Sequence, residues 1–125
     1  TFAWAHFDRA RLLEHADRFA DAEAAYKGAA ESGRDRETSA FFWAHAARVA
    51  AARDDDGRRQ THASRALALD AHLLSAQTRA CQAELLVKSV SGARAALTLI
   101  QALAPRDLVV LDLAQKVAAL PDDPP

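Results

Sequence analysis

The chain has 125 residues, 50% of them hydrophobic and 26% charged, with a formal net charge of -1. That is the size of one domain able to bury about two-thirds of its unfolded surface, and the charge balance excludes the basic excess of a nucleic-acid binder. Cys81 is the single cysteine, so there is no internal disulfide; no CxxC or His/Cys spacing points to zinc, and no apolar run reaches the length of a membrane span.

About a quarter of the chain is alanine, the residue with the least helix penalty and little side chain to pack, so closely approaching helices are expected. Lysine stands only at positions 27, 88 and 116 while arginine is frequent, a bias attributed to GC-rich coding rather than to function. The start at Thr1, without Met or a signal-type segment, carries the expectation of a piece cut from a longer protein. A cytoplasmic, reducing compartment is the expectation for its one cysteine.

In chain order, the first apolar-periodic stretch runs over 3–15 and the second over 19–32, ending at Ser32-Gly33-Arg34-Asp35. A third helix is expected over 37–53, ending at Asp54-Asp55-Asp56-Gly57, and a fourth over 57–69. Asp70 is the expected cap of a fifth helix over 73–88. Ser89-Val90-Ser91-Gly92 leads into a sixth over 92–103, and Pro105-Arg106-Asp107 into a seventh over 107–119, capped by Asp107. No stretch alternates as a strand would, so the fold class is all-α with about seven helices. The tail 121–125, with Pro at 121, 124 and 125, cannot continue a helix.

Internal repetition carries the functional argument. Residues 13–29, Leu-Glu-His-Ala-Asp-Arg-Phe-Ala-Asp-Ala-Glu-Ala-Ala-Tyr-Lys-Gly-Ala, resemble the centre of a tetratricopeptide repeat. Ala22, Tyr26 and Ala29 fill that family's small, aromatic and small positions, with Phe19 at the aromatic site before them. Small side chains let two helices approach and the ring fills the space between them; Ala10 and Leu13 supply the facing surface. A second copy places Trp43, Ala46, Ala47 and Ala50 on its first helix and Ala63, Ala66 and Asp70 on its second. It departs from the pattern at Arg59, where a small residue is expected, and at Ala63, where an aromatic is. A third copy carries Ala80 and Cys81, then Ala93, Leu97, Ile100 and Pro105. The resemblance implies a single domain over 1–120: repeats at 3–34, 37–71 and 72–105, in a right-handed α-α superhelix of antiparallel hairpins, with 107–119 as a capping helix. An ordinary alanine-rich bundle is the alternative.

The resemblance further implies a protein-protein interaction module whose concave surface is lined by the first helix of each hairpin. Carried over position by position, that surface would present Trp4, Phe7, Arg11 and Glu14, then Phe41, Ala44, His45 and Arg48, then Ser75, Thr78, Arg79 and Gln82. Arg11, Arg48 and Gln82 would form a row with Arg79 nearby. Phe7 and Phe41 would anchor a protein or peptide guest beside it, and His45 is counted among the contact residues, an acidic segment or a C-terminal carboxylate being the fitting chemistry. The Lys/Asn set of the chaperone-binding members is not present. The bland alternative is a solvated row paired internally with Asp8, Glu14 or Glu84.

The remaining features read as structure. No two of His6, His15, His45, His62 and His72 stand at i,i+3 or i,i+4 spacing, so a metal or acid-base pair is not expected and most are read as surface or boundary residues. Cys81 reads as a small buried hydrophobe, and the Asp54-Asp55-Asp56-Gly57 run as a loop and cap, since it lacks the terminal Glu of a calcium loop. No GxSxG, phosphate-binding glycine loop or HExxH occurs, so neither an enzyme nor a cofactor is expected. Two other roles stand beside the interaction module: a self-associating scaffold using Trp4 or Phe41, giving a homo-oligomer, and a regulatory part of a larger enzyme or transcription regulator.

Overall fold

A computed structural model describes residues 2–121. Among them lie seven helices and no strand: α1 (Phe2–His15), α2 (Phe19–Ser32), α3 (Arg36–Ala52), α4 (Asp56–Leu69), α5 (Leu73–Leu86), α6 (Val90–Leu103) and α7 (Leu108–Ala118). Of the non-helical tail, Pro121 is described as such, whereas 122–125, like the start at Thr1, lie outside the described residues.

The turns inside the three hairpins are one motif used three times. Asp17, Asp54 and Lys88 sit in the left-handed region at φ 58°, 57° and 56°, 37 and then 34 residues apart. In each turn the next residue donates its N–H back across five residues: Arg18 to the Leu13 carbonyl, Asp55 to Ala50 and Ser89 to Glu84. This bond gives a partner to a helix-end carbonyl, and in the first and third turns no other backbone bond from the turn does so. Asp55 then caps α4 through the Arg58 N–H, and Ser89 caps α6 through the Gly92 N–H. Asp107 likewise accepts from the Val109 and Val110 N–H groups. Asp70 does something different from the expected cap: its carboxylate accepts from the His72 N–H, a two-residue Asx turn, and His72 is the residue that precedes α5.

Helices α1 and α3 run parallel, with α2 antiparallel to both. Trp4 meets Phe42, Phe7 meets Phe42 and Phe41, and Glu14 meets Arg48. Tyr26, fully buried, fills the space between α1, α2 and α3, while Ala10, Ala22 and Ala29, also fully buried, let the backbones approach. Successive aromatics on α3 diverge by about 100° each. Phe41 faces α1 and His45, Phe42 is enclosed with Trp4 and Phe7, and Trp43 turns to α4, stacked on His62 with the Arg65 guanidinium 4.8 Å from its ring centre. None of the three is left exposed.

The third hairpin docks differently. α4 and α5 barely touch; α6 packs instead on α3 and α4. One side of α6 (Leu99, Ala102, Leu103) joins the core of α1 to α4, and the other (Ala93, Leu97, Ile100) makes a second core with Cys81, Val110, Leu113 and Val117. Two residues of α4 accompany this seat. Ala63 offers α5 no ring to pack on, and the long Arg59 reaches the Ala102 carbonyl at 2.8 Å, tying α4 to the C-terminal end of α6. α5 buries only Leu73 and Cys81, so α6 is the helix with apolar surface enough for two neighbours.

A candidate partner groove

Between α1, α3 and α6 lies a groove of about 500 Å³, lined by Phe7, Arg11, Glu14, His15, Tyr26, Phe41, His45, Arg48, Ala95 and Thr98. Five of the seven expected partner residues, Phe7, Arg11, Phe41, His45 and Arg48, come together there. Arg79 and Gln82 do not: both are exposed on α5, and Ala95 and Thr98 of α6 close the groove where α5 was expected. The cause is the docking of the third hairpin through its more apolar helix.

Arg48 is occupied. Its guanidinium grips Glu14 with two parallel bonds, Nη1 to Oε2 at 2.7 Å and Nη2 to Oε1 at 2.5 Å, and Nε reaches His45 Nδ1 at 3.3 Å. The Tyr26 hydroxyl donates to the same carboxylate. Of the internal pairings open to the arginine row, Glu14 with Arg48 is the one formed. Burial pushes the Glu14 carboxyl up, but the hydrogen bonds from Arg48 and Tyr26 outweigh it and leave it below the ordinary range. Burial, followed by the bond to Glu14, raises Tyr26. His45 is pushed down to about 3, first by burial and then by the Arg48 charge. The ring is therefore neutral, and because Nδ1 accepts from Arg48 its proton sits on Nε2.

Arg11 is different. It is exposed and lines the same groove, and its charge is felt by Tyr26 and His45, yet it forms no hydrogen bond or ion pair with any described residue. Beside it the wall is aromatic: Phe41 meets His45 edge-on at 4.6 Å, Phe7 meets His45 at 5.4 Å and Phe41 at 6.0 Å. Phe7 is buried and Phe41 half-buried, so Phe41 presents the larger free surface.

A second network ties α2 to α4 and to the turn after α3. Glu23, 2% exposed, accepts from Arg53 and Arg58 at 2.7 Å each and pairs with His62 Nε2 at 3.0 Å. Burial raises this carboxyl, and the bonds from His62, Arg58 and Arg53 more than reverse it. His62 is thus the one buried histidine, while the other four are exposed or, like His45 inside the first network, at the boundary. The sequence reading passed over Glu23, whose partners lie 30 to 39 residues away. A local signal was available: an acid among the alanines of α2, adjacent to Ala22 at the helix-contact position.

Among the described residues no three His, Cys, Asp or Glu side chains converge as a metal site, and no helix is long and apolar enough to cross a membrane. Comparisons with protein-family models, curated proteins and solved structures find no match to this chain.

Proposed function

We propose that this chain is a tetratricopeptide-like interaction module that holds a segment of a partner protein in the groove between α1, α3 and α6. The observation that carries the reading is the unpartnered Arg11 beside the half-buried Phe41, in a groove whose other charges are already paired. An apolar anchor flanked by a free guanidinium is the pairing that peptide grooves use for affinity and orientation. The thrice-used hairpin turn, at a spacing near the 34 residues of that repeat family, supports the same assignment. In this reading α1 to α4 keep the superhelical stacking, and the third hairpin closes the stack by turning α6 inward. No catalytic role is part of it.

The test is retention of a partner from source lysate by the chain, by Arg11→Glu and by Thr98→Trp. Arg11 is exposed and unpaired, and Trp at 98 would fill the groove from α6, so both variants should fold and both should lose the partner. Equal retention by all three rejects the groove. Arg48 is the wrong residue to reverse, since that would leave Glu14 facing a second carboxylate inside the fold.

A second reading, self-association, is favoured by one observation. Leu108, Val109 and Leu111 are 81%, 50% and 47% exposed on one end of α7, and apolar clusters of this kind mark contact surfaces. A monomer mass independent of concentration in sedimentation rejects it.

A further inference from the structure

Resting on the groove as the partner site, we infer that the guest unit is an acidic side chain next to an aromatic one, inside a polypeptide rather than at its end. The charge comes first. Glu14 neutralises Arg48 through two bonds and His45 is uncharged, so Arg11 is the one unbalanced fixed charge on the lining. One guest carboxylate balances it. A second would meet no other unpaired guanidinium on the lining and would face Glu14, whose oxygens already hold Arg48 and Tyr26.

The ring comes next. Phe7, Phe41 and His45 already pack edge-on or tilted with centres 4.6 to 6.0 Å apart, and a guest ring extends that cluster in the geometry aromatic groups favour. The volume of about 500 Å³ admits a carboxylate and a ring together, lying within the roughly 300–1,000 Å³ of sites that enclose drug-sized guests.

The internal position follows from the backbone. Capture of a chain end uses several convergent N–H donors, commonly a nest of free backbone amides. This groove is lined from within α1, α2, α3 and α6, at residues 7–15, 26, 41–48 and 95–98, where helix bonding leaves no amide free. Side chains alone do the reading.

The experiment titrates capped Gly-Glu-Phe-Gly (acetylated and amidated) into the nitrogen-15-labelled 125-residue chain, following backbone amide shifts. Its comparators are capped Gly-Gln-Phe-Gly, capped Gly-Glu-Ala-Gly and acetyl-Gly-Phe with a free C-terminal carboxylate. The expected result is perturbation centred on Phe41, His45 and Thr98, with about tenfold weaker binding when Glu becomes Gln and about three- to tenfold when Phe becomes Ala. Arg11→Gln should erase the Glu/Gln difference and leave the Phe/Ala difference. Equal binding of the Glu and Gln peptides, tighter binding of the free-ended peptide, or shifts centred outside the groove would each overturn the inference. If a lysate partner is lost with Thr98→Trp while no acidic-aromatic peptide binds, this inference falls and the groove reading stands. If neither the partner nor the peptide responds to the groove variants, both fall.

Discussion

At the scale of single residues, the buried polar groups do more than the exposed ones. Tyr26 is both the ring that fills the space between three helices and a donor to Glu14. Its two roles separate by substitution. Tyr26→Phe keeps the ring and should cost about 1–2 kcal/mol for the lost hydrogen bond, whereas Tyr26→Ala should cost about 3–5 kcal/mol through the cavity it leaves. Urea unfolding of both variants measures the difference. Equal losses would mean that the ring does not fill that space.

His45 gives the pH dependence. Its folded value of about 3 lies below the roughly 6.5 of an unfolded histidine, so between those values the unfolded chain binds a proton that the folded chain does not. Stability therefore falls as pH drops through this window, by at most about 1.4 kcal/mol per pH unit. The lowered Glu14 and Glu23 carboxyls have the same sign but act only below about pH 4.3. Denaturant midpoints at pH 7, 6 and 5 isolate the histidine, and His45→Gln, which keeps an acceptor for Arg48, should remove most of the slope. An unchanged slope in that variant would place the titration elsewhere.

At the scale of elements, helices were legible because their punctuation is local. Gly33, the aspartate run and Pro105 mark breaks that any periodic reading finds, and the structure's helices end within a few residues of them. Of the left-handed turn residues, Asp54 falls within the aspartate run, whereas Asp17 and Lys88 carried no such mark, standing where glycine is usual. That absence makes Lys88 improvable. An L-residue in this region costs about 1–2 kcal/mol, partly offset by the extra chain entropy of glycine and the lost cation near a helix C-terminus. Lys88→Gly should thus raise unfolding stability by about 0.5–1 kcal/mol, read as a higher thermal midpoint.

At the scale of the whole molecule, five of the seven residues named from the sequence line one groove and two stand apart from it on α5. Phe7, Arg11, Phe41, His45 and Arg48 come together because α1 and α3 pack side by side, each presenting residues at helical spacing to the same face. Arg79 and Gln82 lie apart because the third hairpin's seat depends on a competition between α5 and α6 for one surface, and neighbours in sequence do not decide such a competition. The outcome turns on apolar area, with Leu99, Ala102 and Leu103 of α6 buried against the first core, where α5 buries Leu73 and adds a partly buried Leu74. Those α6 residues should therefore govern whether the two halves stay joined. Leu99→Asp would place a charge 4% exposed in the native seat, a cost the third hairpin can escape by undocking while α5, α6 and α7 keep their own core. The expected signature is protease cleavage in the Asp70–His72 connection at a rate well above that of the parent chain, with hydrogen exchange unchanged in α1 and α2. Leu113→Asp, in the second core, should instead expose α7 and leave the 70–72 connection protected. If both variants cut at the same place and rate, the two cores are one cooperative unit and α6 is not the joint between them.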